Sequence, residues 1–78
     1  MTVYLPTLKQ LQYVVALHDH GHFGRAAEAC FITQSTLSAS LRELETLLGN
    51  TLVERTRRVV RFTPLGLRIV AKARRVLH

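Results

Sequence analysis

A run of small polar side chains over residues 33–38 is the part of the sequence best equipped to form specific hydrogen bonds. It contains Thr33, Gln34, Ser35, Thr36 and Ser38. Hydroxyl and amide groups both donate and accept hydrogen bonds, and Arg42, four residues further on, adds a cation. The run predicts recognition of a polar, anionic ligand. It also fits a plainer interpretation, in which Thr-Gln-Ser-Thr is only a polar helix cap.

Positive charge is concentrated in the last third of the chain. The net charge is +6, and residues 54–78 hold eight Lys and Arg side chains against one acidic residue, Glu54. Four of the eight are clustered: Arg55, Arg57, Arg58 and Arg61. A cationic block of this kind fits a nucleic acid, an anionic membrane surface or merely a solvated face.

The histidines and the single cysteine carry no enzymatic pattern. His18 and His20 are two residues apart on a predicted helix and point to different faces, so we expect no metal site with His22. Cys30 has no second cysteine for a disulfide and no obligatory base beside it, and we expect it to pack as a small apolar side chain. We therefore predict neither enzymatic activity nor a cofactor.

Hydrophobic spacing and capping residues predict four helices and a hairpin. A first helix follows Thr7 and ends near Gly21, and a short alanine-rich helix covers residues 25–30. A third helix follows Thr33 and ends at Gly49, with Leu37, Leu41, Leu44 and Leu48 on one face. Short β-prone runs over 52–55 and 59–62 predict a hairpin, and Thr63-Pro64 starts the last helix.

The order of these elements is that of a winged helix-turn-helix. Slim polar side chains at the start of the third helix would let its backbone enter a DNA major groove, where Gln34 suits adenine. The free amides of the first turn could hold a phosphate. The predicted fold is mainly α with a small β-hairpin wing, followed by a long C-terminal dimerisation helix. The predicted partner is double-stranded DNA.

Several motifs resemble the LysR-type family of transcriptional regulators over nearly the whole chain. They are Phe23-Gly24-Arg25-Ala26-Ala27, Thr33-Gln34-Ser35-Thr36-Leu37-Ser38, Leu44-Glu45, Leu48-Gly49, Leu52-Val53-Glu54-Arg55 and Phe62-Thr63-Pro64-Leu65-Gly66. Within the family, the segments 22–30 and 52–55 are most similar to the peroxide-sensing activator branch. The sequence departs from the family at Ser35, often proline, at Gly24, often serine or threonine, and at Ala39, often arginine. The last departure puts one base or phosphate contact of the family in doubt.

The resemblance implies a homodimer, or a tetramer at full length, that reads an interrupted palindromic operator. It places Gln34, Ser35, Thr36 and Ser38 at the major groove and Arg58 in the minor groove. It also implies a separate effector-binding domain, which we expect to be absent here. The expected division is a DNA-binding domain over 6–63, with the helix-turn-helix over 23–42 and the wing over 52–62, and a linker and dimerisation helix over 64–78.

Two further expectations concern the last helix and the cell compartment. The stripe Ile69, Val70, Ala73 and Leu77 is predicted to form the dimer interface, because it is longer than a thin core needs. With no long apolar run and no signal-peptide pattern, we expect a cytoplasmic protein without a membrane partner. The rival interpretation is a basic helical interaction module that binds an acidic protein or an anionic membrane surface.

Overall fold

The computed structural model describes residues 6–56 and 59–77 and shows helices joined by one β-hairpin. The elements, in chain order, are α1 (Leu8–His20), α2 (Phe23–Ala29), α3 (Gln34–Leu48), β1 (Val53–Thr56), β2 (Val59–Phe62) and α4 (Pro64–Leu77). The predicted mainly α fold with a small β-hairpin wing is confirmed: three helices precede a two-stranded antiparallel wing, and α4 follows it. The dimerisation role of α4 stays a prediction. No helix in the described part of the chain is long and apolar enough to cross a membrane.

Local capping fixes the ends of α1 and α3 where the sequence predicts them. At the start of α1, the Thr7 hydroxyl accepts from the Gln10 amide at 3.1 Å, and the Gln10 side chain accepts from the Thr7 amide at 2.9 Å. This reciprocal capping box satisfies two amides that the helix itself leaves free. α3 ends at Gly49, whose φ of 69° is left-handed and readily adopted by glycine.

The start of α2 differs from the prediction. The helix begins at Phe23, two residues before the expected start at residue 25. His22 is the capping residue, and its ring Nδ1 accepts from the Arg25 amide at 3.3 Å. The sequence did not show this cap, because histidine is not among the side chains that usually cap helices.

One apolar core lies between the helices and the base of the wing. Its buried members come from every helix and from the start of the hairpin: Val14, Leu17, Ala26, Ala27, Leu37, Leu41, Leu44, Leu52, Val53, Val70 and Ala73. Among the described residues no polar or charged side chain is buried. Ala26 and Ala27 have small side chains, which allows α2 to approach its neighbours closely. The core holds α3 so that its polar face lies outside.

Helix α4 packs on its own domain through the two central residues of the predicted dimer stripe, Val70 and Ala73. Val70 is 3% exposed and Ala73 is 1% exposed; both belong to the core, and α4 packs on α1. Ile69 and Leu77 are half-buried, and Val76 is 59% exposed. Val70 and Ala73 are therefore committed to the fold of one chain. The stripe is not a continuous free surface, because its two central residues, Val70 and Ala73, are part of the core.

An exposed polar cluster joins the C-terminal parts of α1 and α4. Arg74 donates to the carboxylate of Asp19 and lies 3.1 Å from Nδ1 of His18. The hydrogen bond from Arg74 lowers the pKa of Asp19 below its usual value. The His18 ring in turn meets Phe62 edge to face, with ring centroids 5.2 Å apart. The cluster fixes the C-terminal half of α4 against α1 and the hairpin.

The hairpin begins one residue later than predicted. Val53 pairs with Phe62 and Glu54 with Arg61, whereas Leu52 lies before the strand. The Leu52 carbonyl accepts instead from the Thr63 amide at 2.9 Å, which ties the entry of the wing to the start of α4.

Candidate nucleic-acid interface

The first turn of α3 is exposed and its cap is ordered by hydroxyl groups. The Thr33 hydroxyl accepts from the Thr36 amide at 3.1 Å. It also lies 2.8 Å from the Thr36 hydroxyl and 3.2 Å from that of Ser35. Thr33 and Thr36 therefore serve as cap residues, as the plainer interpretation held. The same hydroxyl cluster lies at the positive end of the helix dipole, where an anion is favoured.

Three of the predicted contact residues lie together on one face of α3. Ser35, Ser38 and Arg42 line a shallow depression of about 240 Å³ with Ala39 between them. The spacing of three and four residues places them one above another on the helix surface. The small side chains leave the backbone accessible, and Arg42 supplies the charge. Small polar side chains beside one cation are typical of a helix face that lies in a DNA groove.

Gln34 lies on a different side of the first turn. A methyl group placed on Gly24 would be 3.6 Å from the Gln34 side-chain oxygen, so the Gln34 amide lies beside the start of α2. The same position would be 3.0 Å from the His22 ring. The missing side chain at Gly24 thus leaves room for two polar groups next to the leading turn of α3.

The polar face continues beyond the residues that the sequence singled out. A second depression, of about 510 Å³, begins at Arg42 and extends along α3 to the turn before the wing. Its further lining residues are Glu45, Thr46, Gly49, Asn50 and Thr51. Thr46 follows Arg42 by one turn of helix, and this spacing could have identified it in the sequence. Asn50 and Thr51 carried no such signal, because their position depends on how the loop packs.

One of the predicted wing arginines is a structural anchor. Arg55 donates to Glu45 at 3.1 Å, and its guanidinium lies 5.8 Å from the centre of the Phe23 ring. The other carboxylate oxygen of Glu45 accepts from the amides of Leu52 and Val53, at 2.8 and 3.2 Å. Arg55 therefore connects β1 to α3 and α2. Its charge is neutralised by Glu45, and it is less available to DNA than the sequence suggested.

Of the other three arginines predicted in the wing, the structure describes one. Arg61 is exposed on β2. Arg57 and Arg58 lie outside the described residues, so the predicted minor-groove contact of Arg58 stays a prediction.

Cys30 lies half-buried at the end of α2. Burial raises the pKa of its thiol, which disfavours the reactive thiolate. Its position is that of a packing residue.

Comparison with known proteins gives one consistent result. The family model described as "Bacterial regulatory helix-turn-helix protein, lysR family" matches residues 8–67. The HTH-type transcriptional regulator EstR of Acinetobacter baylyi is 56% identical over 73 residues, which cover 94% of this chain and 24% of that protein. The hydrogen peroxide-inducible genes activator of Pectobacterium carotovorum is 51% identical over 71 residues, 91% of this chain and 24% of that protein.

A solved structure is also similar. The complex of the BenM DNA-binding domain with benA site 1 DNA has a TM-score of 0.86 at 37% identity, covering 91% of this chain and 83% of that one. The chain thus spans about a quarter of the length of the two curated relatives and most of the BenM domain.

Proposed function

Because this chain belongs to the LysR family of bacterial helix-turn-helix regulators, we propose that it binds double-stranded DNA sequence-specifically, with α3 in the major groove. The observation that carries the proposal is the polar face formed by exposed Ser35 and Arg42 with half-buried Ser38, which begins at the capped N-terminus of α3. Ser35 and Ser38 would read base edges, and the amides around Thr33 would hold a phosphate. The similar BenM domain, solved in complex with DNA, supports this docking.

The contact set that we propose extends the one from the sequence. Gln34 would approach bases from the side next to α2, and Thr36 would contribute mainly through the cap that it shares with Thr33. Arg42 would meet the backbone at the edge of the groove, with Thr46 and Asn50 following along the same depression. The family resemblance assigns Arg58 to the minor groove beside the wing.

We also propose that two copies bind an interrupted palindrome as a homodimer. The support is the family resemblance and the exposed apolar side of α4, where Ile69 and Val76 lie two turns apart. A longer protein containing this domain would add effector binding, a tetrameric state and regulation of transcription. Similarity to the peroxide-inducible activator favours peroxide as the signal of that longer protein, which would act on chromosomal DNA in the cytoplasm.

The test is selection of bound duplexes from a random pool, followed by titration of the selected site at several salt concentrations. We expect a defined site and a steep salt dependence, since each neutralised phosphate contributes about 0.9 to the slope for B-DNA. Gln34→Ala and Ser38→Ala should each weaken the selected site by about 1 to 3 kcal/mol per lost base contact, with less effect on random DNA. Gln12→Ala, an exposed glutamine on α1, is the matched control.

The rival function has a different signature. An interaction module for acidic proteins or membranes would bind heparin, or vesicles containing anionic lipid, as well as it binds any duplex. Equal affinity for all these polyanions, with no enriched sequence in the selection, would contradict the proposed function.

A further inference from the structure

Phe31 combines two unusual features in the turn between α2 and α3. Its side chain is 95% exposed, although it is a large aromatic residue. Its φ of 59° lies in the left-handed region, and it is the non-glycine residue with positive φ in the described chain. Both features are unfavourable for a phenylalanine. A bulky side chain clashes with the backbone when φ is positive, and exposing an apolar ring to water forgoes the free energy of burying it.

The hydrogen bonds of the turn explain the backbone conformation. The Phe31 amide donates to the Glu28 carbonyl at 3.1 Å, and the Ile32 amide donates to the Ala27 carbonyl at 3.0 Å. These are the two bonds of a Schellman motif that ends α2, with Phe31 at the position that is usually glycine and sometimes asparagine. The turn requires the left-handed conformation but not the aromatic ring. A glycine or asparagine would form the turn with less strain.

The ring lies next to the interface that we propose for DNA. Phe31 precedes the capping residue Thr33 by two positions, so their Cα atoms are within about 7 Å of each other. No acidic side chain occurs between Glu28 and Glu43 in the sequence, a stretch that includes the turn after Phe31 and the start of α3. A duplex seated on the start of α3 would therefore lie close to this ring.

We propose that Phe31 is a DNA-contacting residue, whose ring packs against apolar carbon at the edge of the major groove. The apolar groups there are the C5-methyl of thymine and the carbons of deoxyribose, and phenylalanine is among the side chains that contact the thymine methyl. The contact supplies burial for a ring that the fold leaves in water. This inference rests on the proposed function, because it places the ring on a duplex bound by α3.

The test uses substitutions that separate stability from binding. Phe31→Asn and Phe31→Gly remove the ring and suit the left-handed turn, so we expect the thermal midpoint to be unchanged or higher. We expect the same variants to bind the selected site about tenfold more weakly, because they lose the burial of an aromatic ring against the DNA. Phe31→Tyr keeps an aromatic ring and should retain most of the affinity. Gln12→Ala again serves as the control.

Replacement of thymine by uracil in the selected site identifies the contacted carbon. If the thymine methyl is the partner, uracil at one position weakens the parent protein and leaves Phe31→Asn unaffected. If uracil has no effect at any position while Phe31→Asn still binds weakly, the deoxyribose is the partner.

If both Phe31→Asn and Phe31→Gly bind the selected site as tightly as the wild-type protein, the inference is wrong. If Gln34→Ala still weakens binding to the selected site in that case, the proposed function remains supported. A protein partner for the ring would give the same unchanged DNA affinity and would likewise overturn it.

Discussion

Cys30 shows how a side chain's immediate surroundings determine its reactivity. It lies at the C-terminal end of α2, and burial raises the pKa of its thiol. Because the thiolate is the form that reacts with peroxide and alkylating agents, little of it is available near neutral pH.

We predict that DNA binding by this chain is insensitive to mild peroxide. Iodoacetamide should label Cys30 more slowly than a free cysteine in a short peptide, and the labelling rate should rise at alkaline pH. Cys30→Ser should bind DNA normally, with a modest loss of stability for placing a hydroxyl in a partly apolar site. A peroxide-dependent affinity that disappears in Cys30→Ser would show that this domain is itself a sensor.

Arg57 and Arg58, which are adjacent in the sequence, allow a second prediction at this scale. A narrow A·T-rich minor groove concentrates negative potential, and arginine sheds its hydration there at less cost than lysine. Arg58→Lys should therefore weaken the preference for A·T pairs that flank each half-site. Arg57→Ala should weaken all duplexes alike and reduce the salt slope by about one unit or less. Duplex selection with each variant measures both effects, and a flanking preference that survives in Arg58→Ala would exclude the minor-groove contact.

At the scale of elements, Glu45 connects the recognition helix to the wing. Its side chain is 12% exposed, and it accepts from two backbone amides as well as from Arg55. The carboxylate of Glu45 therefore sets the orientation of the wing relative to α3.

We predict that Glu45→Ala lowers the free energy of unfolding by about 2 to 3 kcal/mol, because part-buried amides lose their acceptor. Glu45→Gln keeps a carbonyl oxygen for the amides but loses the charge that pairs with Arg55, so its effect should be smaller. Glu43→Ala, an exposed position two residues away, should change stability by no more than about 0.5 kcal/mol. Urea denaturation compares the three, and equal stability of Glu45→Ala and Glu43→Ala would contradict this role.

The close approach of α4 to the entry of the wing depends on Gly66. A methyl group at Gly66 would lie 2.1 Å from the Leu52 carbonyl oxygen, a backbone atom that cannot move alone. At Gly24, the nearest atom to such a methyl is 3.0 Å away, in the flexible His22 side chain.

Although alanine is favoured over glycine in a helix by about 1 kcal/mol, we predict that Gly66→Ala is severely destabilised or does not fold. Gly24→Ala should fold with nearly normal stability, because the His22 ring can shift. Circular dichroism during heating tests both substitutions. A Gly66→Ala protein that melts at the temperature of the parent would show that α4 does not approach the wing so closely.

At the scale of the whole molecule, α4 serves the core on one side and leaves another side free. Val70 faces the core, whereas Val76 is 59% exposed and lies two turns from half-buried Ile69. Substitution of Val70 therefore tests the stability of the domain, and substitution of Val76 tests its self-association.

We predict that Val70→Asp unfolds the domain, because an unpaired charge would be placed in the apolar core. Val76→Asp should keep the melting temperature of the parent and weaken self-association, and with it the binding of a palindrome relative to a half-site. Sedimentation equilibrium and thermal melting separate the two effects. A folded, monomeric Val70→Asp variant, or an unchanged association of Val76→Asp, would exclude this division of α4.

The sequence alone was sufficient for features that depend on neighbours within three or four residues. Thr7, Thr33 and Gly49 mark helix ends in the sequence and in the structure, because a cap is formed by side chains and amides that are adjacent along the chain. The leucine spacing of α3 likewise predicted its buried face at Leu37, Leu41 and Leu44, whereas Leu48, at the end of the helix, is exposed. By exclusion it also predicted the polar face of Ser35, Ser38 and Arg42.

The tertiary structure decided every feature that joins distant segments. The burial of Val70 follows from the packing of α4 on α1, and the neutralisation of Arg55 from a carboxylate ten residues earlier on α3. The periodicity of a helix shows which residues share a face, but not whether that face meets its own core, another copy or DNA. Which of these a helix face contacts depends on how much apolar surface the other elements of the domain leave exposed to solvent. That exposed area is a property of the packed domain and not of the helix alone.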